Sequence, residues 1–247
     1  TTNDNASTTT VFQISVTAEN DAPTIDALAA LTIDEDVNTQ TVLLSGISAG
    51  GGESQPLAVT VASNNTNLIG HPIISYATPA STGTLEFAPV THLSGTATIT
   101  VTVTDGGLDA NLTTTADNVV KTESFDIEVI AINDPPTIDQ IDDVTVAEDA
   151  ATFTVDLTGI TAGVDETQPL AVTIEHDNTN LFTNVVLDYL SADSTGTIHL
   201  TPTTGASGTA TFTVTVTDGG LDNDLSTSGD IAAVSEIFDV SVTPAFP

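Results

Sequence analysis

The 247-residue sequence contains no cysteine, methionine or tryptophan. Without cysteine, the chain has no disulfides, no thiolate metal ligands and no cysteine nucleophile. No apolar run reaches the length of a membrane-spanning helix, and the chain does not open with a signal-like segment. From the absence of methionine, including an initiating one, we expect a piece that was processed or excised from a longer protein.

Basic residues are nearly absent as well. Lys121 is the only lysine or arginine, and it faces 34 aspartates and glutamates, which gives a formal net charge of −33. This composition excludes nucleic acid and anionic membrane surfaces as partners, because both are bound through basic patches. The carboxylates must stay solvated and apart or share cations from solution, since like charges repel. Divalent cations are therefore the expected ligands.

What the sequence does contain is an internal repeat. Phe12, Phe125 and Phe238 follow one another at intervals of 113 residues, and the same shift places Asn20-Asp21 on Asn133-Asp134. A period of this length is the size of a domain that owns its core. We predict three parts: residues 1–20 as an extra strand with its linker, residues 21–133 as repeat 1, and residues 134–247 as repeat 2.

The alternation of residue types predicts strands and no long amphipathic helix. Residues 96–104 read Thr-Ala-Thr-Ile-Thr-Val-Thr-Val-Thr, and residues 209–217 repeat this pattern, which is typical of strands. Together with shorter runs, it predicts seven strands in repeat 1, at about residues 28–33, 41–44, 57–61, 73–76, 84–87, 96–104 and 123–132. The predicted fold is all-β, with two tandem antiparallel Ig-like sandwiches of about seven strands each.

The strand order places the loops that carry recurring carboxylates. Because consecutive antiparallel strands reverse direction, the loops after the second and sixth strands lie at the N-terminal end of a repeat, and the turn after the first strand lies at its C-terminal end. We predict a calcium site at the junction between the repeats, formed by Glu35, Asp36, Asn133, Asp134, Asp165, Glu166, Asp218 and Asp222. The equivalent set before repeat 1 is Asn20, Asp21, Glu53, Asp105 and Asp109. Calcium prefers six to eight oxygen ligands, whereas the simpler alternative is that these residues only form turns.

These residues carry a family resemblance. The linker Asn133-Asp134-Pro135-Pro136, the early Glu35 and the Asp-Gly-Gly at residues 105–107 resemble the cadherin-like (Ig-like) tandem repeats of large secreted or surface adhesin-type bacterial proteins. The resemblance implies an extracellular array of β-sandwiches stiffened by Ca²⁺ between domains, in an adhesin or a surface stalk. Two features depart from the pattern: the Asp-Arg-Glu motif of cadherins has no counterpart, and residues 244–247 lack the Asn-Asp of the linker.

No catalytic arrangement recurs. Residues 46–50 match the nucleophile elbow of hydrolases, but repeat 2 has Thr161 in place of Ser48, and none of the four histidines has a histidine counterpart in the other repeat. We therefore expect a protein that is not an enzyme. Tyr76 and Tyr189 do recur, and they are expected in the core rather than as stacking platforms for sugars.

The segment 8–18 is a third copy of the last strand, although repeat 1 already has its own. It either belongs to a preceding repeat or completes the sheet of another subunit by β-strand addition. The first hypothesis is a secreted or cell-surface stalk or adhesive array, whose partners are neighbouring copies or repeats of the same protein and a cell-surface or glycan ligand. The alternatives are a self-assembling extracellular filament joined through residues 8–18 and, more distantly, a carbohydrate-binding module.

Overall fold

The computed structural model describes residues 7–245. Residues 1–6 of the predicted extra strand and residues 246–247 of repeat 2 lie outside the described residues. The chain divides into two units, of which the first ends at Val129 and the second begins at Ile130. The described residues form strands and turns, and they include no helix that is long and apolar enough to cross a membrane.

Repeat 1 forms two sheets from seven strands. In chain order the strands are β1 (Leu31–Asp34), β2 (Gln40–Leu44), β3 (Leu57–Ser63), β4 (Ile73–Ser75), β5 (Gly83–Phe87), β6 (Gly95–Asp105) and β7 (Val120–Ile130). One sheet has the order β1-β7-β6-β3, and the other has the order β2-β5-β4. All seven strands lie where the sequence predicts them.

Repeat 2 has the same plan. Its strands are β8 (Val144–Ala147), β9 (Phe153–Leu157), β10 (Leu170–His176), β11 (Phe182–Asp188), β12 (Gly196–Pro202), β13 (Gly208–Asp218) and β14 (Ala233–Thr243). They pair in the orders β10-β13-β14-β8 and β11-β12-β9. The predicted fold of two Ig-like β-sandwiches is therefore confirmed.

Each repeat owns its core because its strands alternate between apolar and polar residues. In β6, the apolar side chains from Ala97 to Val103 are fully buried, and the threonines between them face outward. The strand β13 repeats this arrangement from Ala210 to Val216. Successive side chains of a strand point to opposite faces of the sheet, so the threonine face is left in contact with solvent.

The described part of the predicted extra strand is not paired as a strand within this chain. Residues 7–20 form no strand, and the side chains of Phe12, Ile14 and Val16 are 73–88% exposed. The counterparts of Phe12, which are Phe125 and Phe238, are buried in β7 and β14. The physical reason is that β7 and β14 already pair with β6 and β13, so neither repeat leaves a lane for a second copy of this strand.

Candidate cation site at the N-terminal end of each repeat

The linker before each repeat is held against the loop between the second and third strands. Thr24 donates its backbone N–H to the carbonyl of Ser48 at 2.9 Å, and its hydroxyl donates to the carbonyl of Gly46 at 2.7 Å. In repeat 2, Thr137 makes the same two bonds with Thr161 and Gly159, at 3.0 and 2.7 Å. The residues that precede each threonine are thereby placed beside the β2–β3 and β9–β10 loops.

We call the polar group at this position the linker cluster. In repeat 1 it consists of Asn20, Asp21, Glu53, Gln55 and Asp105. In repeat 2 it consists of Asn133, Asp134, Glu166, Gln168 and Asp218. Each residue of one set lies 113 positions from its counterpart in the other, so the cluster belongs to the repeated module.

Hydrogen bonds join the cluster of repeat 1. The amide Nε2 of Gln55 donates to Asn20 Oδ1 at 2.6 Å and to Glu53 Oε2 at 2.9 Å. The amide Nδ2 of Asn20 donates to Asp105 Oδ1 at 3.1 Å, and the backbone N–H of Asp21 donates to Glu53 Oε2 at 3.2 Å. Two amide side chains thus connect carboxylates that come from two different loops.

The cluster of repeat 2 reproduces this network. Gln168 Nε2 donates to Asn133 Oδ1 at 2.7 Å, and Asn133 Nδ2 lies 3.2 Å from both carboxylate oxygens of Asp218. The backbone N–H of Asp134 donates to Glu166 Oε1 at 3.2 Å. Because the contacts recur, the geometry is a feature of the module rather than of one loop.

The two aspartates that end β6 and β13 are fully buried, with 0% exposure. Asp105 Oδ1 accepts the backbone N–H groups of Gly107 and Val119 at 3.0 and 2.9 Å. Asp218 Oδ1 accepts those of Gly220 and Ala232 at the same two distances. These backbone bonds satisfy only one of the two oxygens of each buried carboxylate.

Several buried oxygen atoms of the clusters have no hydrogen-bond donor. They are Asp105 Oδ2 and Gln55 Oε1 in repeat 1, and Glu166 Oε2 and Gln168 Oε1 in repeat 2. A buried acceptor without a partner costs about 1–3 kcal/mol, and buried polar groups in folded proteins are nearly always satisfied. All four atoms are acceptors, so the group that would complete them is a donor or a cation.

The pKa of Glu166 is raised above its ordinary value. Burial is the main cause, and the negative charges of Asp134 and Asp218 act in the same direction. Hydrogen bonds from the backbone of Asp134 and the side chain of Gln168 act against this increase in the pKa. Glu166 and Gln168 also line a pocket of about 260 Å³, together with Ser194. Asn133, Asp134 and Asp218 do not line this pocket, so it lies beside the cluster rather than within it.

Glu35 and Asp36 lie at the opposite end of repeat 1. Asp36 has a positive φ of 61°, and its Oδ1 accepts the backbone N–H of His92 at 2.9 Å. Asp149, its counterpart in repeat 2, has a φ of 60° and accepts the N–H of Gly205 at 2.9 Å. The recurrence of Asp36 therefore has a structural explanation, since it ties a turn to a neighbouring loop. That Glu35 and Asp36 ligate calcium at the junction stays a prediction.

Asp109 and Asp222 are occupied within their own loops. Asp109 accepts the backbone N–H of Asn111 at 3.0 Å and the hydroxyl of Thr114 at 2.6 Å. Asp222 accepts the backbone N–H of Asp224 at 2.9 Å, and its second oxygen accepts the hydroxyl of Thr227 at 2.7 Å. These contacts are those of turn-forming residues, and we do not include either aspartate in the linker cluster.

Asp165 is exposed and has a positive φ of 56°, at the position where repeat 1 has Gly52 with a φ of 85°. The shared feature of the two residues is a left-handed backbone conformation, which glycine and aspartate tolerate best. Asp165 therefore serves the turn, and Glu166 beside it is the carboxylate that reaches the cluster.

The sequence prediction omitted Gln55 and Gln168. A signal for them was present, because Glu-x-Gln-Pro-Leu occurs at residues 53–57 and again at residues 166–170. A neutral amide indicates a cation ligand less directly than a carboxylate does, although calcium also accepts amide oxygens. The structure shows that these two glutamines are central to their clusters.

Fold and site together define a class of protein: tandem Ig-like β-sandwich repeats that bear an acidic, oxygen-rich cluster at the N-terminal end of each repeat. Residues 133–228 match the family model described as a bacterial Ig domain. Most of repeat 2 is thus similar to a bacterial Ig domain, and repeat 1 shares the fold of repeat 2 and its pattern of residues. The predicted resemblance to bacterial cadherin-like (Ig-like) repeats is confirmed. Among curated proteins, none matches the sequence significantly.

The chain also matches several solved structures at low sequence identity. Human mucin-like protocadherin EC1-2 is 14% identical with a TM-score of 0.42, and the match covers 90% of this chain and 98% of that one. The human desmocollin-1 ectodomain is 13% identical with a TM-score of 0.40, covering 92% of this chain and 42% of that one. Titin domains z1z2, from a complex with telethonin, are 16% identical with a TM-score of 0.36 and coverages of 93% and 100%. Likeness at this level does not extend to function.

Proposed function

We propose that the chain is a calcium-stabilised repeat module of a secreted or cell-surface bacterial protein, and that it acts as a stalk or adhesive array without catalytic activity. The match of repeat 2 to the bacterial Ig domain family supports an extracellular repeat module. The observation that carries the calcium proposal is the set of buried oxygens without donors in both linker clusters. Since the chain has only one lysine or arginine, the charge of these carboxylates has to be neutralised by a cation from solution.

The chemistry of the cluster favours calcium over softer metals. Its members offer carboxylate and amide oxygens, and none of them is a histidine or cysteine. Hard divalent cations prefer oxygen ligands, and calcium accepts irregular sets of six to eight. A bound ion would tie the linker residues Asp21 and Asp134 to the loops of the repeat that follows, and this would stiffen the start of each repeat.

Calcium titration of thermal stability tests the proposal. A ligand that binds only the folded state at 100 times its Kd stabilises it by about 2.7 kcal/mol, which raises the Tm of a domain of this size by roughly 10 °C. We expect calcium to raise the Tm, EDTA to reverse the increase, and the Asp105→Asn and Asp218→Asn variants to respond less. Sodium chloride of equal ionic strength is the control for screening. An unchanged Tm in the wild-type protein would contradict the proposal.

The filament alternative finds less support in the fold. The apolar face of residues 8–18 is exposed, as a donor strand requires. However, β7 and β14 occupy the lanes that this strand would fill in a second copy, so the described part of the chain offers no acceptor of that kind. The carbohydrate-binding alternative finds no support in the two recurring tyrosines. Tyr76 and Tyr189 pack against the two cores and do not form a stacking surface for a sugar.

A further inference from the structure

The same glutamine presents an unsatisfied amide oxygen in both repeats. Gln55 Oε1 and Gln168 Oε1 are buried without a hydrogen-bond partner, and the side chain of Gln168 belongs to a residue that is only 5% exposed. A glutamine in a surface loop normally turns both ends of its amide to water or to protein partners. Here the nitrogen end is engaged and the oxygen end is not.

The neighbouring asparagine holds that orientation. Asn133 accepts from Gln168 Nε2 through its own Oδ1, and it donates to Asp218 through its Nδ2. Asn20 does the same between Gln55 and Asp105. The asparagine therefore uses both ends of its amide within the protein. The oxygen that remains without a donor is therefore that of the glutamine and not that of the asparagine.

We propose that Gln55 and Gln168 each supply a neutral amide oxygen as a direct ligand of the cation in the linker cluster, and that Asn20 and Asn133 are positioning residues that aim this oxygen. The inference rests on the proposed function. It differs from the sequence prediction, in which Asn20 and Asn133 are themselves ligands of the cation.

A neutral ligand is also what the electrostatics of the site require. Further carboxylates brought into the cluster would repel those present, because no basic side chain is among its members. An amide oxygen completes the coordination of calcium without adding negative charge. Gln55 Oε1 and Gln168 Oε1 are buried amide oxygens that are free to act in this way.

The test compares two substitutions of Gln168 in the full chain by isothermal titration with calcium chloride. Gln168→Met keeps the length of the side chain and removes both its oxygen and its donor. Gln168→Glu keeps an oxygen, removes the amide donor to Asn133 and Glu166, and adds a negative charge. A ligand role predicts at least ~10-fold weaker binding at one site for Gln168→Met and a clearly smaller loss for Gln168→Glu, which keeps a ligand oxygen although its charge repels the neighbouring carboxylates. A purely structural role, through the hydrogen bond to Asn133, predicts that both variants weaken binding equally.

Repeat 1 supplies the matched control. Gln55→Met is expected to weaken the other site and leave the site of repeat 2 unchanged, and circular dichroism in EDTA checks that each variant is folded. Equal affinities of Gln168→Met and the wild type would overturn the inference while calcium binding itself stands. Equal losses in Gln168→Met and Gln168→Glu would overturn it as well. If the wild-type chain binds no calcium, both the proposed function and this inference are wrong.

Discussion

Single side chains of different charge have different tasks in the linker cluster. Asp218 remains buried because backbone N–H groups and Asn133 donate to its carboxylate. Glu166 has fewer hydrogen-bond donors, since one of its oxygens is buried without a donor. Its pKa is raised, mainly by burial. The two carboxylates therefore lie in one cluster but differ in how fully their oxygens are hydrogen-bonded.

The raised pKa of Glu166 makes the stability of repeat 2 depend on pH when calcium is absent. Between the ordinary pKa of a glutamate and the raised pKa, the folded state binds more protons than the unfolded state, so stability falls as pH rises through this window. We expect urea midpoints in EDTA to decline from pH 4 towards neutrality, and to decline less in Glu166→Gln. Saturating calcium should remove this decline, because the ion favours the ionised carboxylate. Identical pH slopes in the two proteins would show that Glu166 is not desolvated.

The sequence predicted the carboxylates and asparagines of the cluster but not its glutamines. Asp105, Asp218 and Glu166 were found because acidic residues recur at the ends of strands whose positions follow from alternation. Gln55 and Gln168 were missed because their role depends on which end of the amide is engaged. That orientation is decided by contacts between loops far apart in sequence, and no local pattern encodes it.

At the scale of strands, the sequence was a good guide where residues alternate strictly. The strands β6 and β13 extend only one residue beyond each end of the predicted runs. The difference between β4, with three residues, and β11, with seven, had no such signal. The longer strand accompanies an irregular register between Phe182 and Asn184, which is a tertiary feature.

Aromatic packing distinguishes the core of repeat 2. The ring of Phe212 in β13 lies 5.2 Å from that of Phe238, 5.3 Å from that of Phe182 and 5.0 Å from that of His176. Repeat 1 has Ile99 at the equivalent position. One side chain therefore connects three different strands or their ends, and its loss removes contacts with all of them.

Phe212→Ala is expected to destabilise repeat 2 by about 3–5 kcal/mol, because it leaves a cavity and breaks the ring contacts. Phe212→Ile, which installs the residue of repeat 1, should cost clearly less, since it retains most of the buried apolar volume. Urea unfolding followed by circular dichroism measures both. If the isoleucine variant is as unstable as the alanine variant, the specific ring geometry rather than the filled volume stabilises this core.

At the scale of the whole molecule, the scarcity of basic residues limits where trypsin-like proteases can cut. Lys121 is the only cleavage site, and it lies in β7, where it pairs with Val103 of β6. Its Nζ is 2.8 Å from Glu123 Oε1. A protease needs an extended, accessible backbone, so cleavage requires β7 to leave its sheet.

Trypsin is therefore a probe of how repeat 1 opens. We expect the native chain to resist cleavage and the heat-unfolded chain to yield two fragments, residues 1–121 and 122–247. When opening and closing are fast relative to cleavage, the rate follows the population of the open form. Calcium bound at the linker cluster of repeat 1 should then slow cleavage, and Asp105→Asn should abolish this protection, whereas Asp218→Asn in repeat 2 should preserve it. Protection by calcium that survives Asp105→Asn would place the stabilising ion elsewhere in the chain.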